Sequence, residues 1–181
     1  MPKYLLRDIE ITDYAQAAEI YNSNSHFLSA HLGVMSVDEA FIAREVSTMK
    51  SVGFRSCVIT EEHSPVILGI IDFRTDAEVY LSLLMLRGTL HRQGIGQDVY
   101  SLFECQMREI DSSSIRIDVI TDGNDTALAF WTHLGFQPCA PTTLVWGEKK
   151  STALIMRKYL HEFSRPCQSL PCVKGGGTAQ P

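Results

Sequence analysis

The strongest chemical signal in the sequence lies where an apolar strand candidate, Glu78 to Leu86, leads through a short loop into a helix candidate, Gln97 to Ile110. Gly94 and Gly96 stand directly before that helix. Glycine lets the backbone turn several N–H groups toward one point, and the positive end of the helix dipole lies there too. Such a loop favours an anion, and the pyrophosphate of a cofactor needs this close backbone approach. Because a lone Gly-x-Gly pair is also typical of a plain tight turn, the loop needs a second signal.

The second signal is the segment 124–136, which reads NDTALAFWTHLGF. It predicts a short helix with an Asn at its start, paired aromatic residues and a Gly-Phe exit. Together the two segments resemble the GCN5-related N-acetyltransferase (GNAT) family. Its first motif reads Gln/Arg-x-x-Gly-x-Gly/Ala, and its second reads Asn-x-x-Ala-x-x-Phe-Tyr-x-x-x-Gly-Phe. The resemblance covers Tyr4 to Tyr159, because the order of predicted strands and helices also fits that fold.

The resemblance implies that acetyl-CoA, and no metal, serves the reaction. In the family the cofactor arm enters between two splayed strands like an added strand, so its amides replace the missing sheet partner. The implied cofactor-binding residues fall into three groups. The pyrophosphate loop contains His91, Arg92, Gln93, Gly94, Ile95, Gly96 and Gln97; the strand beside the pantetheine arm contributes Leu84, Met85 and Leu86; and the opposite side contributes Asn124 and Trp131.

The chain departs from the family pattern at two of these positions. His91 stands where Arg or Gln is usual, which leaves phosphate contact to the backbone amides and to Arg92. Trp131 stands where the family often has the Tyr that protonates the departing thiolate. An indole N–H donates a hydrogen bond but does not release its proton at a usable pH. We therefore expect Trp131 to pack against the cofactor arm or in the core rather than act as the acid.

Acyl transfer from a thioester to an amine needs a neutral amine, a donor for the oxyanion of the tetrahedral intermediate and a proton for the thiolate. The resemblance implies that the Leu86 backbone amide is the oxyanion donor. Strand alternation places Glu78, Tyr80, Ser82, Leu84 and Leu86 on one face. We therefore predict a water held by Tyr80 and Ser82, which relays the proton to Glu78, Asp72 or solvent. Alternatively, Tyr80 is the acid. Each of these polar residues is equally interpretable as an ordinary strand residue without a catalytic role.

The acceptor pocket is predicted to involve the long connection between the first two helices, Asn22 to Val34. His26, Phe27 and His31 are its candidate lining residues, although either histidine is also readable as an exposed residue. A cationic amine would be favoured by negative potential on the acceptor side. The candidates for that potential are Glu61, Glu62, Asp72, Asp76 and Glu78.

The elements that position these residues alternate between helix and strand periodicity. The order predicts an α/β (α+β) protein of the GNAT fold, with a mixed, mostly antiparallel sheet of six to seven strands and about four flanking helices. We expect residues 1–160 to form the acetyltransferase domain. The last residues, 161–181, contain three prolines and a Gly175–Gly177 triplet, which predict a flexible or loosely packed tail.

Composition excludes several classes of function. The chain has 181 residues, of which 45% are hydrophobic and 20% charged, as in an ordinary soluble domain. With 16 Lys and Arg against 21 Asp and Glu, the net charge is -5, and no basic run favours nucleic acid. No apolar stretch reaches the roughly 18 residues of a membrane span, so we expect a cytoplasmic protein without a membrane partner. Five scattered cysteines lack metal-ligand spacing and are interpreted as reduced thiols.

The sequence thus favours an acetyl-CoA-dependent N-acetyltransferase acting on a primary amine, with a small molecule as the preferred acceptor. A non-catalytic acyl-CoA sensor or assembly subunit is the alternative, because both the family's acidic Tyr and a side-chain base are missing. A phosphate-binding domain of unrelated function would explain only the glycine loop. The resemblance also makes a homodimer an open prediction, although no segment specifies its interface.

Overall fold

The computed structural model describes residues 3–76, 78–121, 125–146 and 149–160. Its centre is a seven-stranded sheet in the spatial order β1-β2-β3-β4-β5-β7-β6. Within these ranges the β4–β5 pair is parallel, and the other pairs are antiparallel. The strands are β1 (Tyr4–Asp8), β2 (Arg55–Glu61), β3 (Ile67–Thr75), β4 (Val79–Leu86), β5 (Ser114–Ile120), β6 (Gln137–Trp146) and β7 (Lys149–Tyr159).

Five helices flank the sheet in the described part of the chain: α1 (Tyr14–Asn22), α2 (Ser25–Phe27), α3 (Glu39–Ser51), α4 (Ile95–Glu109) and α5 (Asp125–His133). Directly after α2 the chain continues as one π-helical turn, Leu28–Leu32, which ends at Gly33 in the left-handed region. The N-terminus of α3 is capped by the Asp38 side chain, which accepts a hydrogen bond from Phe41 N at 2.8 Å. The predicted α/β class and mostly antiparallel sheet are confirmed.

The sheet has a hydrophobic core on each face. Apolar residues of α4 (Val99, Phe103 and Met107) pack with one set of strand residues. Apolar residues of α1 and α3, among them Ile20 and Ile42, pack with the other set. Strand β4 contributes to both cores and is buried at five of its eight positions (Val79, Leu81, Leu83, Met85 and Leu86), because helices cover it on both sides.

The sequence pattern predicts two short strands, Thr143 to Trp146 and Thr152 to Met156. The observed strands β6 and β7 are much longer. Pro138 and Pro141 are typical of a loop, because proline cannot donate to a sheet ladder. Since β6 is the edge strand of the sheet, it tolerates both prolines. The connection Asn22 to Val34 is likewise not a plain loop, because it contains α2 and the π-helical turn.

Three sequence predictions concern Asn124, the C-terminal tail and the cysteines. Asn124 and the tail 161–181 lie outside the described residues, so their predicted roles stay predictions. Cys57 and Cys139 are free thiols, as expected, whereas Cys105 is disulfide-bonded and corrects the interpretation of all five as reduced. Among the helices of the described ranges, none has the length and apolarity needed to cross a membrane.

Candidate active-site cleft

The site begins where strands β4 and β5 separate. The two strands pair at Val79–Ile115 and Tyr80–Arg116, and beyond these pairs they diverge. The gap forms a cleft of about 240 Å³. The lining residues come from both strands, from α5 and from the α1–α2 region: Asn24, Phe27, His31, Leu81, Ser82, Leu83, Leu84, Met85, Leu86, His91, Ile117, Asp118, Val119, Ile120, Ala127 and Trp131.

The backbone of Leu84 and Leu86 faces this cleft. Arg87 N donates to Leu68 O of the neighbouring chain segment at 2.8 Å, and Leu86 lies opposite Gly69 in the β3–β4 register. Backbone groups alternate between the two edges of a strand, so the peptide groups of Leu84 and Leu86 point away from β3 and into the gap. The backbone groups of Met85 point toward β3, and its side chain packs in the hydrophobic core with α1 and α3. Two backbone positions are therefore offered to an extended ligand.

A β-bulge at Ser82 changes which side chains share a face. Asp72 pairs with Leu83, whereas Phe73 pairs with Leu81, so Ser82 is the extra residue. Leu81 therefore shares the α4-side core with Leu86, and Tyr80 lies on the opposite face. The prediction that Tyr80, Ser82, Leu84 and Leu86 share one face is wrong, because it assumes an unbroken alternation.

The loop before α4 has the geometry of an anion site. Gly94 is the N-cap of α4 with φ +81°, a conformation that favours glycine. The first amides of a helix have no partner within the helix, and they carry the positive end of its dipole. Arg92 also has a left-handed φ of +63°, and the Gln93 side chain donates to Thr89 O at 2.8 Å, which stabilises the loop. The predicted pyrophosphate contacts of residues 91–97 stay a prediction that this geometry supports.

Gly96 has a different role from Gly94. A Cβ at Gly96 would lie 3.4 Å from Cζ of Phe130 and 3.7 Å from Leu86. These are ordinary van der Waals distances, so the start of α4 lies against α5 and β4 with room for one methyl group at Gly96.

Two side chains that line the cleft, Asn24 and His91, converge on the Leu86 carbonyl. Asn24 Nδ2 donates to Leu86 O at 2.9 Å, and His91 Nε2 lies 3.2 Å from the same oxygen. Because a carbonyl only accepts, His91 must carry its proton on Nε2 when it makes this bond. His91 is thus turned toward β4, and its predicted role in binding the cofactor stays a prediction.

The end of α1 is held against the end of β4 by further bonds. Gly88 N donates to Ser23 Oγ at 2.9 Å, and Arg87 forms an ion pair with Glu19 at 3.2 Å. A Cβ at Gly88 would lie only 2.4 Å from Ser23 O. These contacts join the end of α1 to the residues that follow β4, ahead of the loop before α4.

We expect Gly88→Ala to lower the free energy of unfolding by about 1–3 kcal/mol, because the new methyl group must displace the backbone of Ser23. Ser23→Ala is the control, since it removes the hydroxyl that accepts from Gly88 N and donates to Ile20 O but leaves the backbone in place, and it should cost about 1 kcal/mol. Urea unfolding of both variants measures the difference. Equal stability of Gly88→Ala and the wild-type protein would contradict the close contact.

Tyr80 reaches the cleft only through Asp118. Its hydroxyl donates to Asp118 Oδ2 at 3.1 Å, and Arg116 donates to both oxygens of the same carboxylate at 2.8 Å. Burial, followed by the Asp118 charge, raises the pKa of Tyr80 well above its ordinary value. Tyr80 is therefore a poor acid, and its proton is already directed at a carboxylate.

The predicted relay partners of Tyr80 lie elsewhere. Glu78 forms an ion pair with Arg157 at 2.6 Å, and Asp72 is buried on the α1–α3 face among Ile42, Val46 and Ile70. Of the acidic residues expected to give the acceptor side a negative potential, none is among the described residues that line the cleft: Glu61, Glu62, Asp72, Asp76 and Glu78. The cleft lining gives that expectation no support, because Asp72 is buried on the α1–α3 face and Glu78 is paired with Arg157.

The predicted acceptor segment does contribute to the cleft. Phe27 and His31 line it, and their rings stack with centroids 4.3 Å apart, whereas His26 is exposed. Lys149 Nζ donates to Ser29 O at 3.1 Å, which links this segment to the start of β7. Burial lowers the pKa of His31, the His26 and Lys149 charges act in the same direction, and a backbone hydrogen bond with Phe27 opposes them.

Trp131 packs inside an aromatic cluster at the wall of the cleft. Its ring makes edge contacts with Tyr100, Phe130 and Phe136 at centroid distances of 5.7, 4.9 and 5.3 Å. The cluster joins α4, α5 and the start of β6. Such edge-to-face contacts stabilise the packing of the elements that carry them.

We expect Trp131→Phe to retain turnover within about threefold, because a smaller aromatic ring can keep most of this packing and no proton is taken from the indole. Steady-state thiol release at saturating amine is the measurement. A loss of several orders of magnitude in a folded variant would show that the indole acts in the reaction.

Sequence reasoning missed two residues of the cleft, Asn24 and Asp118. Asn24 lies 62 positions before Leu86 in the sequence, so no local spacing connects them. Asp118 was readable only as the polar residue of an alternating strand. Asp118 lies beside Tyr80 because Tyr80 pairs with Arg116 in the parallel β4–β5 register, and the sequence does not show this pairing.

Comparisons with solved structures identify the architecture. The chain is similar to the ribosomal-protein-S18-alanine N-acetyltransferase of Escherichia coli (15% identity, 93% of this chain, 99% of that chain, TM-score 0.64). It is also similar to an acetyltransferase of Thermus thermophilus (18% identity, 87% of this chain, 97% of that chain, TM-score 0.67). A third similar structure is spermidine N-acetyltransferase of Vibrio cholerae in complex with CoA and spermine (11% identity, 87% of this chain, 95% of that chain, TM-score 0.67).

The sequence comparisons add no closer relation: no protein-family model matches the chain, and no curated protein matches it significantly. The structural matches cover nearly all of each solved chain, so they concern the whole fold rather than one motif of it. The chain has the fold of the GCN5-related N-acetyltransferases.

Proposed function

We propose that the protein is an acetyl-CoA-dependent N-acetyltransferase that acetylates a primary amine of a small molecule by direct transfer. The observation that carries the proposal is the separation of β4 from β5, which leaves the Leu84 and Leu86 peptide groups facing a cleft. The lining of this cleft reaches His91, three residues before the N-cap of α4 at Gly94. A linear cofactor with amide groups in its arm and a pyrophosphate at one end matches both features.

The residues present fit such a cofactor. The peptide groups of Leu84 and Leu86 would pair with its arm, Ala127 and Trp131 would form the opposite wall, and the amides at the start of α4 would hold its phosphates. When bound, acetyl-CoA supplies the activated acetyl group. The Leu86 N–H faces the gap and is the proposed donor to the oxyanion, while Asn24 and His91 fix its carbonyl.

Several predictions of the sequence stay proposals. The preference for a small-molecule amine, the cytoplasmic location and a homodimer are proposed on sequence grounds alone. The predicted role of Ser82 stays open, since it lines the cleft at the bulge. For Tyr80 we propose only that it orients Asp118.

Binding and turnover separate the proposed function from its alternatives. Calorimetric titration with acetyl-CoA, CoA and ATP should show binding of the first two. Thiol release is then followed with a panel containing spermine, an aminoglycoside, L-amino acids and a peptide with an N-terminal alanine. Release with at least one amine supports the enzyme. CoA binding without release above slow hydrolysis would support the sensor, and binding of ATP alone would overturn the proposal.

A further inference from the structure

Among the described residues that line the cleft, three carry titratable side chains: His31, His91 and Asp118. An alkyl ammonium has a pKa near 10.4, so a residue of the cleft must accept its proton before the nitrogen can attack. The choice between the three follows from what each side chain already contacts.

Asp118 is a carboxylate whose oxygens are already engaged. Its side chain is only 4% exposed, and it accepts two hydrogen bonds from Arg116 and one from Tyr80. Both oxygens of Asp118 are therefore already bonded to neighbouring side chains, which makes it a less suitable partner for an incoming amine.

His91 is engaged on the cofactor side of the cleft. It immediately precedes the phosphate loop, and its Nε2–H is directed at the Leu86 carbonyl. A base at that place would act beside the cofactor arm rather than beside the acceptor.

His31 lies on the acceptor side. It comes from the segment between α1 and α3, on the π-helical turn Leu28–Leu32, and single π-helical turns are frequent at functional sites. The stack on Phe27 fixes the plane of its ring, and the bond from Lys149 to Ser29 O fixes the turn against β7. The charged groups near it are His26 and Lys149, and His91 and Asp118 lie along the same cleft.

We propose that His31 is the general base of the acetyl transfer, an inference that rests on the proposed N-acetyltransferase function. An imidazole nitrogen of His31 takes one proton from the ammonium, and the freed lone pair forms the N–C bond to the thioester carbon. As the tetrahedral intermediate collapses, the C–S bond breaks and the sulfur leaves as thiolate. The second nitrogen proton goes to that thiolate, and His31 returns the first proton to solvent.

The test compares His31→Gln with His26→Gln, which changes an exposed histidine of the same segment. With whichever amine of the panel is turned over, we expect His31→Gln to lower kcat by about 10²–10³-fold at pH 7. Its affinity for CoA should stay within twofold. In the wild-type protein, kcat/KM should rise with pH through an inflection below the ordinary histidine value of about 6.5, and this limb should be absent in His31→Gln.

Each outcome decides a separate question. Turnover by His31→Gln equal to that of the wild-type protein would overturn the role of His31 and leave the proposed function standing. An equal loss in His26→Gln, or a matching loss of CoA affinity, would assign the effect to the segment's structure and also overturn it. Absence of thiol release from the wild-type protein with every amine would overturn the proposed function and, with it, the base.

Discussion

In the variant Ala127→Phe, acetyl-CoA is expected to bind at least 100-fold more weakly than in the wild-type protein, a loss of about 2.8 kcal/mol. Ala127 lines the cleft from α5, opposite the exposed backbone of β4. A phenyl ring at this position would occupy a large part of a cleft of about 240 Å³, where the pantetheine arm is proposed to lie. Isothermal calorimetry measures the affinity directly.

Ala129→Phe is the matched control, because Ala129 is an exposed residue of the same helix and does not line the cleft. It should bind acetyl-CoA as the wild-type protein does. Equal affinity of both variants would mean that the arm does not pass between β4 and α5. Equal weakening in both would instead show that a bulky residue disturbs α5 as a whole, and thermal unfolding of each variant would detect that.

The variant Asp72→Asn is expected to be more stable than the wild-type protein at pH 8, and the difference in stability should be much smaller at pH 5. Asp72 is buried on the α1–α3 face of β3, and burial is the main reason why its pKa rises from an ordinary 3.8 to about 7. Glu45 on α3 raises it further, while a hydrogen bond with Ser56 opposes the rise. An asparagine keeps the shape of the side chain and never ionises.

The pH dependence has a definite sign. Between pH 3.8 and about 7 the folded protein holds the Asp72 proton and the unfolded chain does not, so unfolding becomes easier as the pH rises. The full interval corresponds to roughly 4 kcal/mol, which is the most that this carboxyl can contribute. Urea unfolding at pH 5 and pH 8 should show a steeper loss for the wild-type protein than for Asp72→Asn.

Glu45→Gln serves as the comparison for this experiment. The pKa of Glu45 is also raised by burial, but Glu45 is only partly buried, so its change should have a smaller effect. Parallel pH profiles of the wild-type protein and Asp72→Asn would contradict the placement of Asp72 as a buried protonated acid.

The relation between the acceptor segment and the cofactor strand has a functional consequence. Asn24, at the end of α1, holds the Leu86 carbonyl, while His31, seven residues later, lines the acceptor side of the same cleft. One short segment therefore contacts both the strand proposed to bind the cofactor and the place proposed for the amine.

The sequence by itself determined the features that depend on neighbours along the chain. The glycines at positions 94 and 96 predict a backbone turn directly before a helix, and Gly94 is the N-cap of α4 with φ +81°. Apolar periodicity predicts a strand from Glu78 to Leu86 and a helix from Gln97 to Ile110, and the structure has β4 (Val79–Leu86) and α4 (Ile95–Glu109) there. The physical reason is that backbone conformation and burial periodicity are set over a few consecutive residues. The fold followed from the order of these elements.

Only the tertiary structure decided which side chains meet in the cleft. One extra residue at Ser82 reversed the face of Tyr80, because the side-chain period of a strand is two and a bulge shifts it by one. Asn24 meets Leu86, and Tyr80 meets Asp118, across 62 and 38 positions of sequence. Such contacts depend on strand register and helix packing, which the spacing of residues does not encode. The proposed base, His31, was one candidate in a long segment, and only its stack on Phe27 and its position in the lining of the cleft distinguish it from His26.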